Sequence, residues 1–177
     1  MLDFGEIVPN TVRHKTVELP PNDREEVNPP TAAHVTAAYW VLAPAFRLPT
    51  IVLDATGMRV TELERLTSGD VDELEGRWRV SRQSAKTKQA RWVPVPENVL
   101  QAVADSVPRE DRNLEAQVFA GFGADRFRTA LSRACKAAGV PVFSPHDLRH
   151  RRASLWHLSG KPVAEAAAWL GHSPTEH

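Results

Sequence analysis

The sequence predicts a mainly α-helical domain with one small antiparallel β-sheet, an α+β fold. Apolar residues recur at helical spacing in most stretches after residue 30, and glycines follow several of these stretches where they would end helices. One stretch, residues 76–96, instead alternates apolar with polar residues as strands do. With 177 residues, 42% of them hydrophobic and 25% charged, the chain is long enough to bury one sizeable core.

Three helices are predicted before the alternating stretch. Thr31 follows two prolines and can cap the helix AAHVTAAYWVLA. The stretch RLPTIVLDATG predicts a second helix that ends near Gly57. In the third helix, VTELERL, Thr61 and Glu64 stand at capping-box spacing, so Thr61 is the expected cap.

The alternating stretch reads GRWRVSRQSAKTKQARWVPVP. Its two ends alternate apolar and polar residues and its middle is polar and basic, which predicts two antiparallel strands joined by a basic connection. Four helical stretches follow, ENVLQAVADSV, DRFRTALSRACKAAG, HDLRHRRASLWHLSG and PVAEAAAWLG. Gly139, Gly160 and Gly171 are placed to end the last three.

Composition divides the chain near residue 30. Residues 1–30 are polar, rich in proline and without helical periodicity, so we expect a linker or the tail of a preceding domain, and residues 31–177 form the folded domain. No stretch approaches the roughly 20 apolar residues that span a bilayer, and no signal peptide is evident, which predicts a cytoplasmic protein. The single cysteine, Cys135, is expected to be a small buried hydrophobe.

Charge is unevenly distributed although the formal net charge is zero. Residues 77–92 contain six Arg or Lys and no acid, and residues 126–152 contain seven with Asp147 as their one acid. Acidic residues are concentrated in residues 1–30 and 53–75. A neutral total can therefore conceal a positive face that suits nucleic acid.

The stretch HDLRH raises the question of its ligand, because it places His146, Arg149 and His150 within reach of one another on a helix. A zinc ion would accept the two histidines and not the arginine, whereas a phosphate would accept all three. Two further helical segments and the basic connection supply other candidate groups, Arg59, Lys86 and His172.

Five basic groups from four separated segments fit the chemistry of substitution at a phosphodiester. The transition state spreads negative charge over the non-bridging oxygens, which two arginines can hold through paired, charge-assisted hydrogen bonds. Histidines can donate protons, and a lysine can protonate the leaving oxygen. Such a site is expected to need no metal ion and no other cofactor.

These segments resemble, in order, the motifs of the tyrosine recombinase or phage integrase family, from about Asn28 to the end of the chain. The stretch ATGMRVTELERL resembles the first arginine motif of the family, AKTKQARWVPVP its hairpin lysine motif, HDLRHRRAS its His-x-x-Arg box and LGHSP its final histidine motif. His172 follows Arg149 by 23 residues, a spacing typical of the family. The resemblance implies an integrase-type catalytic domain.

The resemblance also implies a role for each of the five residues in site-specific DNA recombination through a 3′-phosphotyrosine intermediate. Arg59 and Arg149 would hold the phosphate, Lys86 would be the general acid, and His146 and His172 would be supporting donors or proton relays. The partner would be double-stranded DNA, on which the full-length protein assembles with other recombinase subunits.

Other basic residues in the same segments are expected to contact the DNA backbone, namely Arg82, Lys88, Arg91, Arg151 and Arg152. The last two could instead face solvent. Lys88 would share a strand face with Lys86 and competes with it for the role of hairpin lysine. His150 is expected to support its neighbours, and His172, after a helix-ending glycine, could equally be a helix cap.

The nucleophile of the family is a tyrosine about nine residues beyond the LGH histidine, near position 181 and past His177. The one tyrosine of the sequence, Tyr39, precedes all four motifs in a helix whose Trp40, Val41 and Leu42 are expected to be core. We therefore expect a catalytic domain cut at both ends, without the family's N-terminal DNA-clamping domain, that binds DNA and does not cleave it.

Two other classes of protein remain open. The stretch LWHLSGKPVAEAAAWLGHSP reads as helix, turn and helix, so the chain could be a helix-turn-helix regulator without catalysis, which would leave Arg59 and the hairpin unexplained. Alternatively, His146, His150 and a later histidine could bind zinc as in a hydrolase. No acid stands at a useful spacing beside this pair, and Arg149 would place a cation next to the metal.

Overall fold

The computed structural model describes residues 29–81, 90–106 and 113–171. Within these ranges it contains seven α-helices and three β-strands. The helices are α1 (Ala32–Val41), α2 (Pro44–Thr56), α3 (Val60–Glu64), α4 (Glu97–Ser106), α5 (Ala124–Ala137), α6 (Pro145–Leu158) and α7 (Val163–Leu170). The strands are β1 (Val71–Asp72), β2 (Arg77–Val80) and β3 (Arg91–Pro94). The predicted mainly helical fold with a small antiparallel sheet is confirmed. The predicted division at residue 30 stays a prediction.

Local capping interactions set the boundaries of several helices. The Thr31 hydroxyl accepts a hydrogen bond from the His34 amide at 3.2 Å and caps α1. At the start of α6, the Asp147 carboxylate accepts from the Ser144 amide at 2.7 Å, the return half of a capping box. Gly57 ends α2 with a φ of 65°, a left-handed conformation that glycine adopts without steric cost.

The predicted cap of α3 is wrong. The N-cap is Arg59, two residues before Thr61, and the helix begins at Val60. The Arg59 amide donates to Oε2 of Glu62 at 2.8 Å, so Glu62 is the carboxylate that satisfies the first turn. Glu64 instead accepts a hydrogen bond from the Ala124 amide, at the start of α5. The Glu62 carboxylate also accepts from Nη1 of Arg59, a residue of the site described below.

The sheet is antiparallel in the order β1, β2, β3. In the hairpin, Trp78 pairs with Val93 and Val80 with Arg91. Trp78, Val80 and Val93 are buried, which confirms the predicted alternation. The sequence did not predict β1, because two residues are too short for a periodic signal.

The core lies between the helices and the buried face of the sheet, and it includes Leu53, Phe127 and Leu131. Cys135 is fully buried, as predicted, and burial raises the pKa of its thiol. The expectation of a buried Trp40 and Val41 is wrong, because 66% of Trp40 and 46% of Val41 are exposed. They lie on the outer side of the last turn of α1, whereas Ala38 in the same turn and the following Leu42 are buried.

Trp40 packs locally instead of in the core. Its ring meets the Tyr39 ring edge-on, with centroids 5.2 Å apart. The Arg47 guanidinium lies 5.8 Å from the Trp40 centroid and donates to the main-chain oxygens of Leu42 and Trp40.

No helix in the described ranges is long and apolar enough to cross a membrane.

Helix α6 is fixed against α2 and α7, which brings two distant motifs together. The Asp54 carboxylate of α2 accepts two hydrogen bonds from Nη1 of Arg151, at 2.6 and 2.7 Å. Nε of Arg152 donates to the main-chain oxygen of the same Asp54. These contacts hold the end of α2, and with it the turn before Arg59, against the first half of α6.

Candidate active site

A pocket of about 230 Å³ opens between the start of α3 and the start of α6. Three of the five predicted site residues line it, Arg59, His146 and Arg149. Lys86 and His172 lie outside the described residues, as do Arg82 and Lys88. The remaining lining residues come from α3, α5 and the start of α6, and they are Val60, Thr61, Arg128, Ser144 and Pro145.

Arg149 is the most buried of the three, with 3% of its surface exposed. It donates from Nη1 to the main-chain oxygen of Gly57 at 2.8 Å and from Nη2 to that of Leu170. Burial, together with repulsion from Arg59 and Arg91, lowers the pKa of Arg149 to about 10, and the charge of Glu62 opposes this shift. The group stays protonated at neutral pH, and a guanidinium with five N–H donors retains donors for an anion in the pocket.

Glu62 is buried behind the pocket, and its carboxylate holds Arg59 in place. Its Oε2 accepts from the Arg59 amide at 2.8 Å and its Oε1 from Nη1 of Arg59 at 3.0 Å. Burial acts to raise the pKa of Glu62, but hydrogen bonds and charge from Arg91 and Arg59 hold that pKa below its ordinary value. Glu62 is therefore ionised and fixes the direction of the Arg59 side chain.

Arg91, predicted to contact the DNA backbone, is bound inside the protein. Nη1 and Nη2 donate to the two oxygens of Glu62 at 3.0 and 2.8 Å, a bidentate pair. Nε donates to the main-chain oxygen of Trp169 in α7 at 2.7 Å. Only 8% of the Arg91 side chain is exposed. Its contact with DNA stays a prediction, and its contacts in the structure are with Glu62 and α7.

His146 lies in the first turn of α6, at the exposed side of the pocket. Its ring meets that of His150 edge-on, with centroids 4.3 Å apart. Partial burial lowers the pKa of His146, and the charges of His150 and Arg149 lower it further. His146 is therefore neutral at pH 7, with one ring N–H to donate and one ring nitrogen to accept.

The sequence analysis missed Arg128 and Glu62. Arg128 lines the pocket from α5, is about half exposed and pairs with Asp125 of the same helix. In the sequence it is one of several basic residues in a basic segment, and nothing distinguishes it from its neighbours. Glu62 follows Arg59 by three residues, which is capping-box spacing, and that pattern was the available signal.

Arg151 and Arg152 were also predicted to contact DNA or solvent. Both are partly buried against Asp54, with 14% and 21% of their side chains exposed. Burial lowers the pKa of Arg152, an effect that the charge of Asp54 opposes. The role of these two arginines on DNA stays a prediction, and in the structure they join α6 to α2.

Tyr39 lies away from the pocket. It lines a separate groove between α1, α2 and the start of α4, together with Thr50, Asp54 and Arg152. The pocket that contains Arg59 is thus a basic site without a phenol from the described residues.

Among residues 29–81, 90–106 and 113–171, no group of three or more His, Cys, Asp or Glu side chains could hold a metal ion.

The model of the phage integrase family matches residues 42–177. The chain belongs to this family. The match includes every segment that lines the pocket and confirms the resemblance to this family. It does not favour the alternative of a helix-turn-helix regulator without catalysis.

This phage integrase family member has relatives among bacterial recombinases. It is 32% identical over 138 residues to a protein named tyrosine recombinase XerC from Corynebacterium efficiens, an alignment that covers 72% of this chain and 44% of that protein. The protein of the same name from Bifidobacterium longum is 30% identical over 139 residues, covering 69% of this chain and 38% of the relative. The chain thus spans less than half the length of these relatives.

Solved structures of similar fold confirm the integrase-type architecture. The integrase of transposon Tn1549 in complex with transposon right end DNA superposes with a TM-score of 0.71 at 20% identity, covering 95% of this chain and 65% of that one. The XerA recombinase superposes with a TM-score of 0.65 at 22% identity, covering 88% and 58%. At these identities the similarity establishes the fold of this family member.

Proposed function

We propose that this chain is the catalytic region of an enzyme that cuts and rejoins double-stranded DNA at specific sites through a 3′-phosphotyrosine intermediate. One observation carries the proposal: Arg59, Arg149 and His146, from motifs far apart in sequence, line one small pocket. Family membership and relatives named tyrosine recombinases support it. We assign Lys86 and His172 to the same site from the order of the motifs.

The proposed reaction is a substitution at phosphorus. A tyrosine phenol oxygen attacks, the bond to the 5′ oxygen breaks, and the products are a 3′-phosphotyrosine and a 5′ hydroxyl, which the reverse step rejoins. Arg59 and Arg149 hold the non-bridging oxygens, where negative charge increases in the transition state. Lys86 gives the proton to the leaving 5′ oxygen. His146 and His172 donate hydrogen bonds or relay protons, and one of them takes up the proton that the attacking phenol releases.

This chemistry conserves the energy of the phosphodiester in the protein–DNA bond, so the proposed enzyme uses no nucleotide cofactor and no metal ion. The attacking tyrosine would lie near position 181, because Tyr39 lines a different groove. Arg82 and Lys88 are proposed backbone contacts, on the charge of their segment. An enzyme of this kind works where the DNA is, which is the cytoplasm in the bacteria that carry its relatives.

Structural relatives suggest how the partner DNA is bound. One is titled a lambda integrase dimer bound to a core site, and it superposes with a TM-score of 0.64 at 21% identity. We infer that the full-length protein likewise assembles with other recombinase subunits on duplex DNA.

The test is a nicked suicide DNA substrate, which traps the covalent intermediate, given to the full-length protein. We expect a protein–DNA adduct that joins through the tyrosine near position 181. Arg149→Ala should slow adduct formation on the order of 10²–10³-fold, since it removes charge stabilisation from the transition state. The chain ending at His177 should form no adduct. An adduct through Tyr39, or a full-length protein indifferent to Arg149→Ala, would contradict the proposed mechanism.

A further inference from the structure

Two arginines share the two oxygens of Glu62 from different sides. Oε1 accepts from Nη1 of both Arg59 and Arg91, each at 3.0 Å. Oε2 accepts from the Arg59 amide and from Nη2 of Arg91, each at 2.8 Å. The carboxylate is fully buried, so both pairs are shielded from solvent.

The two arginines differ in what else they contact. Arg59 lines the pocket, and 23% of its side chain is exposed. Arg91 is not part of the pocket lining, and its Nε bonds to the oxygen of Trp169 in the last turn of α7. A Cβ atom on Gly171 would lie 3.0 Å from Cδ of Arg91, so the end of α7 packs directly on this side chain.

Charge explains why one carboxylate needs both partners. A pair of Glu62 and Arg59 alone would be neutral, and Glu62 would then compete with a phosphate for the Arg59 guanidinium. A second arginine leaves the three groups with a net charge of +1, and Arg149 adds another positive charge beside them. Arg59 can then be oriented by Glu62 and still attract an anion.

We propose that Arg91 is a positioning residue that neutralises Glu62 behind the pocket, so that Glu62 orients Arg59 without cancelling the charge Arg59 presents to phosphate. This inference rests on the proposed function, since it assumes that the pocket binds a DNA phosphate. The hydrogen bond from Arg91 to the Trp169 oxygen also joins the last turn of α7 to the same carboxylate.

The test measures binding of the 177-residue chain to a duplex DNA oligonucleotide at low salt. Arg91→Gln should weaken binding about tenfold, because the uncompensated Glu62 then withdraws Arg59 from phosphate. Adding Glu62→Gln to that variant should restore the affinity to within about threefold of the unaltered chain, because it removes the uncompensated charge. A residue that only stabilised the fold would show no such rescue.

Two controls accompany these variants. Arg47→Gln removes a partly buried arginine that, like Arg91, donates from Nε to a main-chain oxygen at the end of a helix, and it should leave DNA binding unchanged. Arg91→Lys loses the bidentate geometry but keeps the positive charge beside Glu62, so it should bind within about threefold of the unaltered chain. This variant preserves the test if Arg91→Gln does not fold by circular dichroism.

The outcomes separate the inference from the proposed function. If Arg59→Ala binds DNA as tightly as the unaltered chain, the pocket is not a phosphate site, and the proposed function and the inference both fail. If Arg59→Ala weakens binding, the pocket stands. The inference alone is then overturned by unaltered binding of Arg91→Gln, by a double variant as weak as the single one, or by a folded Arg91→Lys that loses tenfold.

Discussion

Arg149 both supports the fold and faces the pocket. Its guanidinium donates one hydrogen bond to the main-chain oxygen of Gly57 at the end of α2, 92 residues away, and one to that of Leu170 at the end of α7, 21 residues away. Helix ends leave carbonyl oxygens without intrahelical partners, and a buried guanidinium can satisfy two of them at once. The residue that we assign to phosphate binding is thus held in place by the helices around it.

Arg149→Lys should therefore cost stability as well as activity. A lysine ammonium is a point charge on a flexible stem and cannot span both oxygens and an anion as a planar guanidinium does. One buried carbonyl left without a donor costs about 1–3 kcal/mol, which urea denaturation should detect. The matched control is Arg47→Lys, whose arginine also donates to two main-chain oxygens but is more exposed, and its loss should be smaller. Equal losses would contradict this account.

His146 predicts a pH dependence of DNA binding. Burial and neighbouring positive charges lower the pKa of His146 in the free protein, so the ring is neutral at pH 7 and gains a proton only below pH 6.5. A bound phosphate favours the protonated ring, so binding takes up a proton and DNA affinity should rise as the pH falls through this range. His146→Gln should flatten that part of the profile, measured by fluorescence anisotropy.

The control for this profile is His150→Gln. The His150 ring contacts that of His146 but does not line the pocket. Its loss removes a neighbouring positive charge that lowers the pKa of His146, so the rise in affinity should move to higher pH and not disappear. A profile unchanged by His146→Gln would remove this residue from the binding site.

At the scale of elements, the turn from α2 to α3 sets where Arg59 lies. Gly57 has a left-handed φ of 65°, and a Cβ there would lie 3.0 Å from Cδ2 of Leu170 and 3.3 Å from Cγ of Arg152. Its main-chain oxygen accepts from Arg149. The turn is therefore packed against α6 and α7 as well as strained for any side chain.

Gly57→Ala should destabilise the protein more than Gly139→Ala. Both glycines have similar positive φ angles, 65° and 68°, but among the described residues no atom lies within 4 Å of a Cβ at Gly139. The second variant therefore measures the conformational cost alone, about 1–2 kcal/mol, and the difference between the two measures the close contacts at Gly57. Urea denaturation of both variants gives their free energies of unfolding. Equal losses would show that α6 and α7 move to accommodate the added methyl group without loss of stability.

Elements with local signals were predictable from the sequence. Thr31 and Ser144 cap their helices through neighbours three residues away, and Gly57 and Gly171 end helices by their own conformation. The site was predictable in part, because Arg59, His146 and Arg149 lie in recognisable motifs, and the structure brings these three to one pocket.

Partners that are distant in sequence were not predictable. Arg91 meets a carboxylate 29 residues away and a main-chain oxygen 78 residues away. Arg151 meets Asp54 across 97 residues. The sequence does not show whether the partner of a basic residue is a buried carboxylate or a phosphate. The predicted DNA contacts of Arg91 and Arg151 therefore rested on their charge alone.

For the whole molecule, a net charge of zero does not describe the local charge around a phosphate at the pocket. Two of its carboxylates, Glu62 and Asp54, are each held by two arginines inside the fold. Arg59, Arg128 and Arg149 line one small pocket. Local positive potential can therefore bind DNA although the molecule as a whole is neutral.

Arg128 provides the test of this charge distribution. If it contacts a DNA phosphate beside the pocket, Arg128→Ala should weaken duplex binding alike for all sequences and reduce the slope of log affinity against log salt by about 0.9, the value for one phosphate contact. Lys161→Ala removes the same charge from an exposed position outside both basic segments and should leave the slope unchanged. Titrations at several salt concentrations measure both slopes. An unchanged slope for Arg128→Ala would place the DNA backbone away from this side of the pocket, whereas equal changes for both variants would mean that net charge, and not the pocket, governs binding.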